Sequence, residues 1–404
     1  MKVLAYTSPA RGHVYPLVPT LVELRSRGHQ VAIRTLASEV ELLAQLGLAA
    51  SPMNPLIEAR EMDDWRGKNQ LAQLQRALTA FVERAEHEVP DLAKAIKTNE
   101  PDLLLVDVNS WGAQACAEAS GLAWAVFAPY PLPIPSKDAP PFGLGLKPMG
   151  GPLGRVRDGA LLRLSLLGWN KVLPRLNRVR ATAGAPALSS VMDMFGRAPL
   201  TLAYTAEPFE YPRSDWPSSV RLVGPSNWEP ASQAPSWIRD LQQPVVLVTT
   251  STEYQGDDRL LQVALDALAE EPVTVVATCP AGHAAELRVP QNARVESFVP
   301  HGPILELAAC VVCHGGMGIT QKALSAGVPV CAVPFGRDQP EVARRVEVAR
   351  AGTRLPAGRL NPARLREAVR QAMTMREGAA RVAQAFVAAG GGPVAADALE
   401  MAAR

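Results

Sequence analysis

The sequence predicts an α/β protein of two parallel-sheet halves joined by a proline-rich connection. Three observations carry this. Short β-rich runs alternate with helical apolar periodicity from Lys2 to Phe127, the rhythm resumes from Val245 to Ala351, and prolines and glycines break the stretch between. Strands that alternate with helices imply βαβ units with parallel strands. A length of 404 residues suits two or three domains at roughly 100–200 residues each.

In chain order, Lys2–Thr7 reads as a strand. Tyr15–Arg27 then sets Leu17, Val18, Leu21, Val22 and Leu24 at helical spacing, and Gly28 ends the helix. Gln30–Thr35 is a strand and Ser38–Leu46 a helix; Leu103–Asp107 is a strand ending in a carboxylate, before helix Gly112–Ser120 and strand Trp124–Phe127. Pro129–Gly154 breaks the pattern, because prolines this dense exclude a central strand or a long helix. Its Leu, Ile, Phe and Tyr content points to a loop wall over a pocket rather than a solvated linker. A second punctuated stretch covers Glu207–Ser236.

The second series follows. Val245–Thr249, Val273–Thr278, Cys310–Cys313 and Val328–Val333 read as strands. Asp258–Ala269, Gly316–Ala326 and Gln339–Ala351 read as helices, and Pro393–Arg404 is helical after Gly390-Gly391-Gly392. The expected units are residues 1–215, 216–390 and a C-terminal helix at 391–404, which can return to the first half.

Composition narrows the function classes. Apolar residues at 48% and charged residues at 20% allow a large core. Lys plus Arg number 41 against 39 for Asp plus Glu, which lacks the basic excess of a nucleic-acid binder. No apolar run approaches the ~20 residues of a membrane helix, and the N-terminus has no secretory pattern. Cys310-Val-Val-Cys313-His314 nominally spells a c-type haem attachment, but it sits inside an apolar strand, so buried thiols are the expectation. Five cysteines are an odd count, and a reducing, cytoplasmic compartment fits them.

Four places can carry chemistry. Gly12-His13 lies between the first strand and its helix, at the strand's carboxyl end, where open α/β sheets place ligands. Asp107 ends another strand on the same edge, so it can orient and charge-balance an imidazole. Alone, each reads as an ordinary loop histidine and a helix cap; together they make a base and its orienter. His314-Gly315-Gly316-Met317-Gly318-Ile319-Thr320 joins a strand to a helix, where backbone N–H groups and the helix N-terminus favour an anion. Its spacing is neither the dinucleotide fingerprint nor a Walker loop. Asp338-Gln339, at another carboxyl edge, suits hydrogen bonds to sugar hydroxyls, with helix capping by Asp338 as the bland alternative.

These residues resemble a known family. Gly12-His13-x-x-Pro16 with Leu24-x-x-Arg27-Gly28-His29-x-Val31 is similar to the N-terminal signature of family 1 nucleotide-sugar glycosyltransferases. Phe298-Val299-Pro300-His301, His314-Gly315-Gly316-x-Gly318, Ala323-Leu324-x-x-Gly327-Val328-Pro329 and Pro334-x-x-x-Asp338-Gln339 resemble their donor-binding signature. The match covers nearly the whole chain, in order, and is nearest to the bacterial branch that glycosylates macrolides and polyketides. The resemblance implies a GT-B fold, two Rossmann-like domains facing across a cleft, the first for acceptor and the second for donor.

It also implies roles. His13 is then the general base and Asp107 its partner. Phe298 and Val299 border the nucleotide base. Ser251, Thr252, His314, Gly316, Gly318 and Thr320 hold the diphosphate, and Asp338 and Gln339 bind donor-sugar hydroxyls. Attack is direct, with inversion. No Asp-x-Asp metal motif is present, so neither metal nor cofactor is expected; the UDP- or dTDP-sugar is a co-substrate, and the acceptor a small lipophilic aglycone. A homodimer is compatible with the sequence. Two positions depart from the family: Ile319 replaces a small residue, and Lys322 a glutamate that commonly binds ribose. Lys322 is therefore expected to meet the nucleotide's phosphate or ribose edge, or else to be a surface lysine. Two other readings compete: a GT-B nucleotide-sugar epimerase, opposed by the apolar loop wall, and a non-catalytic binding or partner protein, opposed by the presence of both His13 and Asp107.

Overall fold

The computed structural model describes residues 1–253, 255–280 and 287–404. Among them, two all-parallel sheets form the framework. The first contains β1 (Lys2–Tyr6), β2 (Gln30–Thr35), β3 (Ala49–Pro52), β4 (Leu103–Asp107), β5 (Ala123–Ala128), β6 (Leu200–Ala203) and β7 (Val220–Leu222), in the order β3-β2-β1-β4-β5-β6-β7. The second contains β8 (Val245–Thr249), β9 (Thr274–Thr278), β10 (Ala293–Glu296), β11 (Ala308–Cys313), β12 (Val330–Ala332) and β13 (Gly352–Arg354), ordered β10-β9-β8-β11-β12-β13. The central strands are buried on both faces, as in β4 with Leu103, Leu104, Leu105 and Val106 and in β8 with Val245, Val246, Leu247 and Val248. Continuous apolar runs of this kind belong to parallel sheets covered by helices on both sides.

In each sheet the order reverses beside its first strand, β1 or β8. Ligands bind outside the carboxyl ends of strands at such switch points. Asp107 ends β4, beside β1. His314 follows β11, beside β8.

The first helix begins earlier than its periodicity suggests, at Arg11 rather than Tyr15. Its first turn carries Arg11, Gly12 and His13, polar or small residues that mask the apolar repeat. His13 is thus on a helix, its N–H bonded to Ala10 O at 2.9 Å, not in a loop. Absent from the expected elements is helix Gln70–Asn99, 30 residues long with Pro90 inside it. The loop wall is also shorter than expected, because a helix starts at Gly151 and runs to Trp169. The boundary at residue 215 is corrected by β7, which pairs with β6 and carries the first domain to Leu222.

The C-terminal helix Gly392–Ala402 does return to the first domain. Ala395, Ala396 and Leu399 are buried there among Leu17, Leu21 and Phe127. Full burial of Leu399 contributes about 1.5–3 kcal/mol. Arg27 bonds Asp397 at 2.6 Å and Glu400 at 3.2 Å, and His29 bonds Glu400 at 2.8 Å. The stretch Arg376–Ala402 has the length and composition of a membrane span. It is nevertheless two helices, Arg376–Ala388 and Gly392–Ala402, parted at Gly390 and Gly391 with positive φ.

A buried ion network joins the domains. Arg345, on helix Gln339–Val348, bonds Glu210 at 2.7 Å and Glu341 at 3.1 Å, and lies over the Tyr211 ring at 4.2 Å. Glu341 also accepts from Gly143 N at 2.9 Å and Gly145 N at 2.7 Å, in the proline-rich loop. Removing the cation leaves buried carboxylates short of their partner, which costs about 3–5 kcal/mol. Arg345→Ala is expected to lower the thermal unfolding midpoint by many degrees, whereas an unchanged midpoint in a melting curve would show the network to be energetically idle.

Candidate active site

The two switch points open into one cleft of about 1120 Å³ between the domains. On the first-domain side, the Asp107 carboxylate accepts from His13 Nδ1 at 2.9 and 3.0 Å. Asp107 is fully buried and also accepts from Ser8 N at 3.1 Å and Asn109 N at 2.8 Å. These bonds aim the carboxylate at the imidazole. Because a carboxylate only accepts, Nδ1 must carry the proton, and the neutral imidazole presents a bare lone pair at Nε2. Burial alone would lower the affinity of His13 for a proton, but the charge and hydrogen bond of Asp107, with Glu253 and Asp338 farther off, raise it above the ordinary value. The structure therefore brings the sequence pair into direct contact.

On the opposite wall, Thr249, Thr250, Ser251 and Thr252 follow β8, and His314, Gly316 and Gly318 follow β11. Gly315 has φ +84°, a conformation that favours glycine, and a Cβ on Gly316 would sit 2.3 Å from His314 Nε2. The two glycines let the imidazole fold over the start of helix Met317–Ser325, whose first residues, Met317 and Gly318, line the cleft. Burial pushes His314 down to about 4, against the pull of Asp257, and Arg337 adds to the fall. His314 is thus a neutral donor near pH 7. Its Nδ1 is buried without a hydrogen-bond partner.

Thr320 is corrected. Helical spacing turns it into the core, where it is fully buried with its hydroxyl 3.9 Å from Cys313 Sγ, so it does not line the cleft. Gln339 is buried with both ends of its amide engaged: Oε1 accepts from Phe335 N at 2.7 Å and Gly336 N at 3.1 Å, and Nε2 donates to Gln255 at 2.5 Å. In this arrangement it shapes the turn more than it offers a free hydrogen bond. Asp338 makes no capping bond to its helix and lines the cleft, so capping is not its role. Burial raises its carboxyl above the usual range, while Arg337 and His13 oppose the rise.

Phe298 lines the cleft with 65% of its surface exposed, an open ring for stacking, while Val299 beside it is buried. Lys322 also lines the cleft and pairs with Glu229 at 2.9 Å, so it is not a solvated surface lysine. Glu229 was not among the expected residues. Nor were Asn109, Tyr130 or Arg337, whose guanidinium bridges to Asp64 of the first domain at 2.8 Å. Only Asn109 had a signal, two residues after Asp107 in the same turn. All five cysteines are buried. Among the described residues no three His, Cys, Asp or Glu side chains are grouped as a metal site.

Two doubly wound domains with their switch points facing across a cleft define the GT-B fold. The C-terminal domain model of erythromycin biosynthesis protein CIII-like proteins matches residues 262–399. The chain is 35% identical over 394 residues to 4'-demethylrebeccamycin synthase of Lentzea aerocolonigenes, covering 91% of each chain. Its fold resembles the glycotransferase of kitacinnamycin, with TM-score 0.77, 23% identity and 99% and 98% of the two chains covered. It also resembles a spinosyn rhamnosyltransferase complexed with thymidine diphosphate, at TM-score 0.73 and 20% identity over 99% and 100% of the chains. The chain belongs to the family 1 nucleotide-sugar glycosyltransferases, in the bacterial natural-product branch.

Any side chain at position 316 must displace His314. Gly316→Ala is expected to reduce sugar transfer by tenfold or more, a barrier change of about 1.4 kcal/mol, with a far smaller change in the melting midpoint. Full activity in this variant would show that the imidazole position is unimportant.

Proposed function

We propose that this enzyme moves a sugar from a UDP- or dTDP-sugar to a hydroxyl of a small lipophilic natural product, with inversion and without a metal. The observation that carries the reading is the His13–Asp107 pair facing the glycine-rich turn across one cleft. The thymidine diphosphate complex of a protein with this fold supports the choice of nucleotide class. Apolar side chains such as Leu71, Leu74, Leu78, Phe81 and Phe142 wall the first-domain end and suit a lipophilic acceptor.

In this reading the acceptor hydroxyl donates to His13 Nε2. Its oxygen attacks the anomeric carbon as the proton passes to the imidazole, and Asp107 stabilises the imidazolium. The bond from the anomeric carbon to the diphosphate oxygen breaks on the opposite face. The negative charge that develops on the leaving group meets the N-terminus of helix Met317–Ser325 and the His314 donor. Phe298 stacks on the base, and Asp338 accepts from the donor sugar. The buried thiols accord with a cytoplasmic setting.

His13→Ala is expected to lower transfer by about a hundred- to ten-thousand-fold with nucleotide affinity kept; wild-type kcat would reject the base. Since the working base is neutral and its proton affinity is raised, kcat/KM should fall as pH drops through a midpoint above the ordinary value of about 6.5. Asp107→Asn should move that midpoint down. Activity should persist in EDTA, and loss restored by magnesium or manganese would reject metal independence.

Lys322→Glu would put two carboxylates side by side in the donor half. UDP and dTDP should then bind on the order of tenfold more weakly than to Lys322→Ala, about 1.4 kcal/mol. Calorimetric titration checks this, and equal affinities would place Lys322 outside the nucleotide's field.

A further inference from the structure

The base has a second partner, on the side opposite Asp107. Asn109 Nδ2 lies 3.3 Å from His13 Nε2, and Asn109 Oδ1 accepts from the Tyr130 hydroxyl at 2.7 Å. The Tyr130 ring also packs edge-on against His13, with ring centroids 5.9 Å apart. All three side chains line the cleft. The donor and acceptor sense of this chain follows from Asp107. Because the carboxylate only accepts, Nδ1 holds a proton and Nε2 of the neutral ring can only accept. The atom facing Nε2 must then be a donor, the Asn109 NH2. That leaves Oδ1 for Tyr130, whose hydroxyl must donate. The chain is self-consistent only while His13 is neutral.

Protonating Nε2 reverses every bond. The new N–H would face the Asn109 NH2, donor against donor. Relief requires the amide to turn over, so that Oδ1 accepts from Nε2 and Nδ2 donates to Tyr130. The turn must break the 2.7 Å bond from Tyr130 before it can form again in the opposite sense. We propose that Asn109, gripped by Tyr130, is a positioning residue that keeps the His13 lone pair free until an acceptor hydroxyl takes the place of its NH2 group. The proposal rests on His13 as the base of the transfer reaction.

The chain answers a problem the site creates. The groups acting on His13 are Asp107 in direct contact and Glu253 and Asp338 across the cleft, all of which favour the imidazolium. Tyr130 stays a neutral phenol, because burial and the charges of Asp107 and Asp338 push its ionisation well above the usual range. Burial and the Asn109–Tyr130 chain are the counterweights that hold this rise in check. When the acceptor's proton arrives on Nε2, its own oxygen is already departing toward the anomeric carbon, and the amide is free to turn and accept from the imidazolium. Tyr130 can serve in both states, since a phenol both donates and accepts.

The test reads His13 directly. Protein with isotope-labelled histidine is titrated by NMR, and the His13 resonances are assigned by their loss in His13→Gln. In Asn109→Ala the His13 midpoint should rise by about half to one pH unit, the size of one neutral hydrogen bond. Tyr130→Phe should raise it less, and Asn109→Asp should raise it more than Ala does. The acid limb of kcat/KM should move by the same amounts. Should Asn109→Ala fail to fold, Tyr130→Phe and Asn109→Asp carry the test. A midpoint that is unchanged or lowered in the folded variants overturns the proposal. Transfer surviving in His13→Ala would instead remove the base, while the NMR shifts would still report on the chain.

Discussion

The relation between the two domains rests on the buried guanidinium of Arg345. It touches Glu210 from the first domain and Glu341 from its own helix, and both carboxylates are almost wholly excluded from water. An ion pair so buried gives little net stability over an apolar replacement, but breaking it is costly. Its effect here is geometric. Glu341 takes two backbone N–H groups of the proline-rich loop, and Arg344 donates to Gly145 O at 2.9 Å. The loop that walls the acceptor end is therefore tied to the helix that begins at Asp338 and Gln339. Gly145 sits so near that a Cβ would lie 2.7 Å from Pro340 O. Donor-side and acceptor-side walls meet at one joint.

Two similar rings behave differently on the two walls. His13, partly exposed, and His314, buried, line the same cleft, yet one is pushed toward protonation and the other down to about 4. The difference is the distance to a carboxylate. Asp107 touches His13 at 2.9 Å, whereas Asp257 stands 4.0 Å from His314 and Arg337 works against it. One wall carries a ring disposed to take a proton and the other a neutral donor. His301 joins the neutral group, held at about 4 by burial and by Lys322.

Lys322 shows how a departure from a family pattern is absorbed. Where an acceptor side chain is common, this chain has a donor, and the donor finds Glu229 from the segment between the domains. The Glu229 carboxylate also accepts from Gly302 N at 3.2 Å. A carboxylate thus remains at this edge of the cleft, supplied from a different part of the chain.

The alternation of strands and helices, the glycine-rich turn and the placement of His13 and Asp107 on carboxyl edges were all legible in the sequence. They are local properties: apolar period, turn chemistry and strand ends. Sequence alone also determined the return of the C-terminal helix as a prospect, though not its partners Arg27 and His29. The long helix Gln70–Asn99 stayed hidden because Pro90 interrupts its pattern and tertiary packing overrides that cost. Thr320 was misplaced because a motif gives spacing, while the helix phase decides which residue faces the ligand and which the core. Asn109, Tyr130, Glu229 and Arg337 could emerge only from tertiary structure. Each acts through a partner between 21 and 273 positions away in the chain, and such pairings arise where the sheets, loops and linker converge, from contacts that no local pattern encodes.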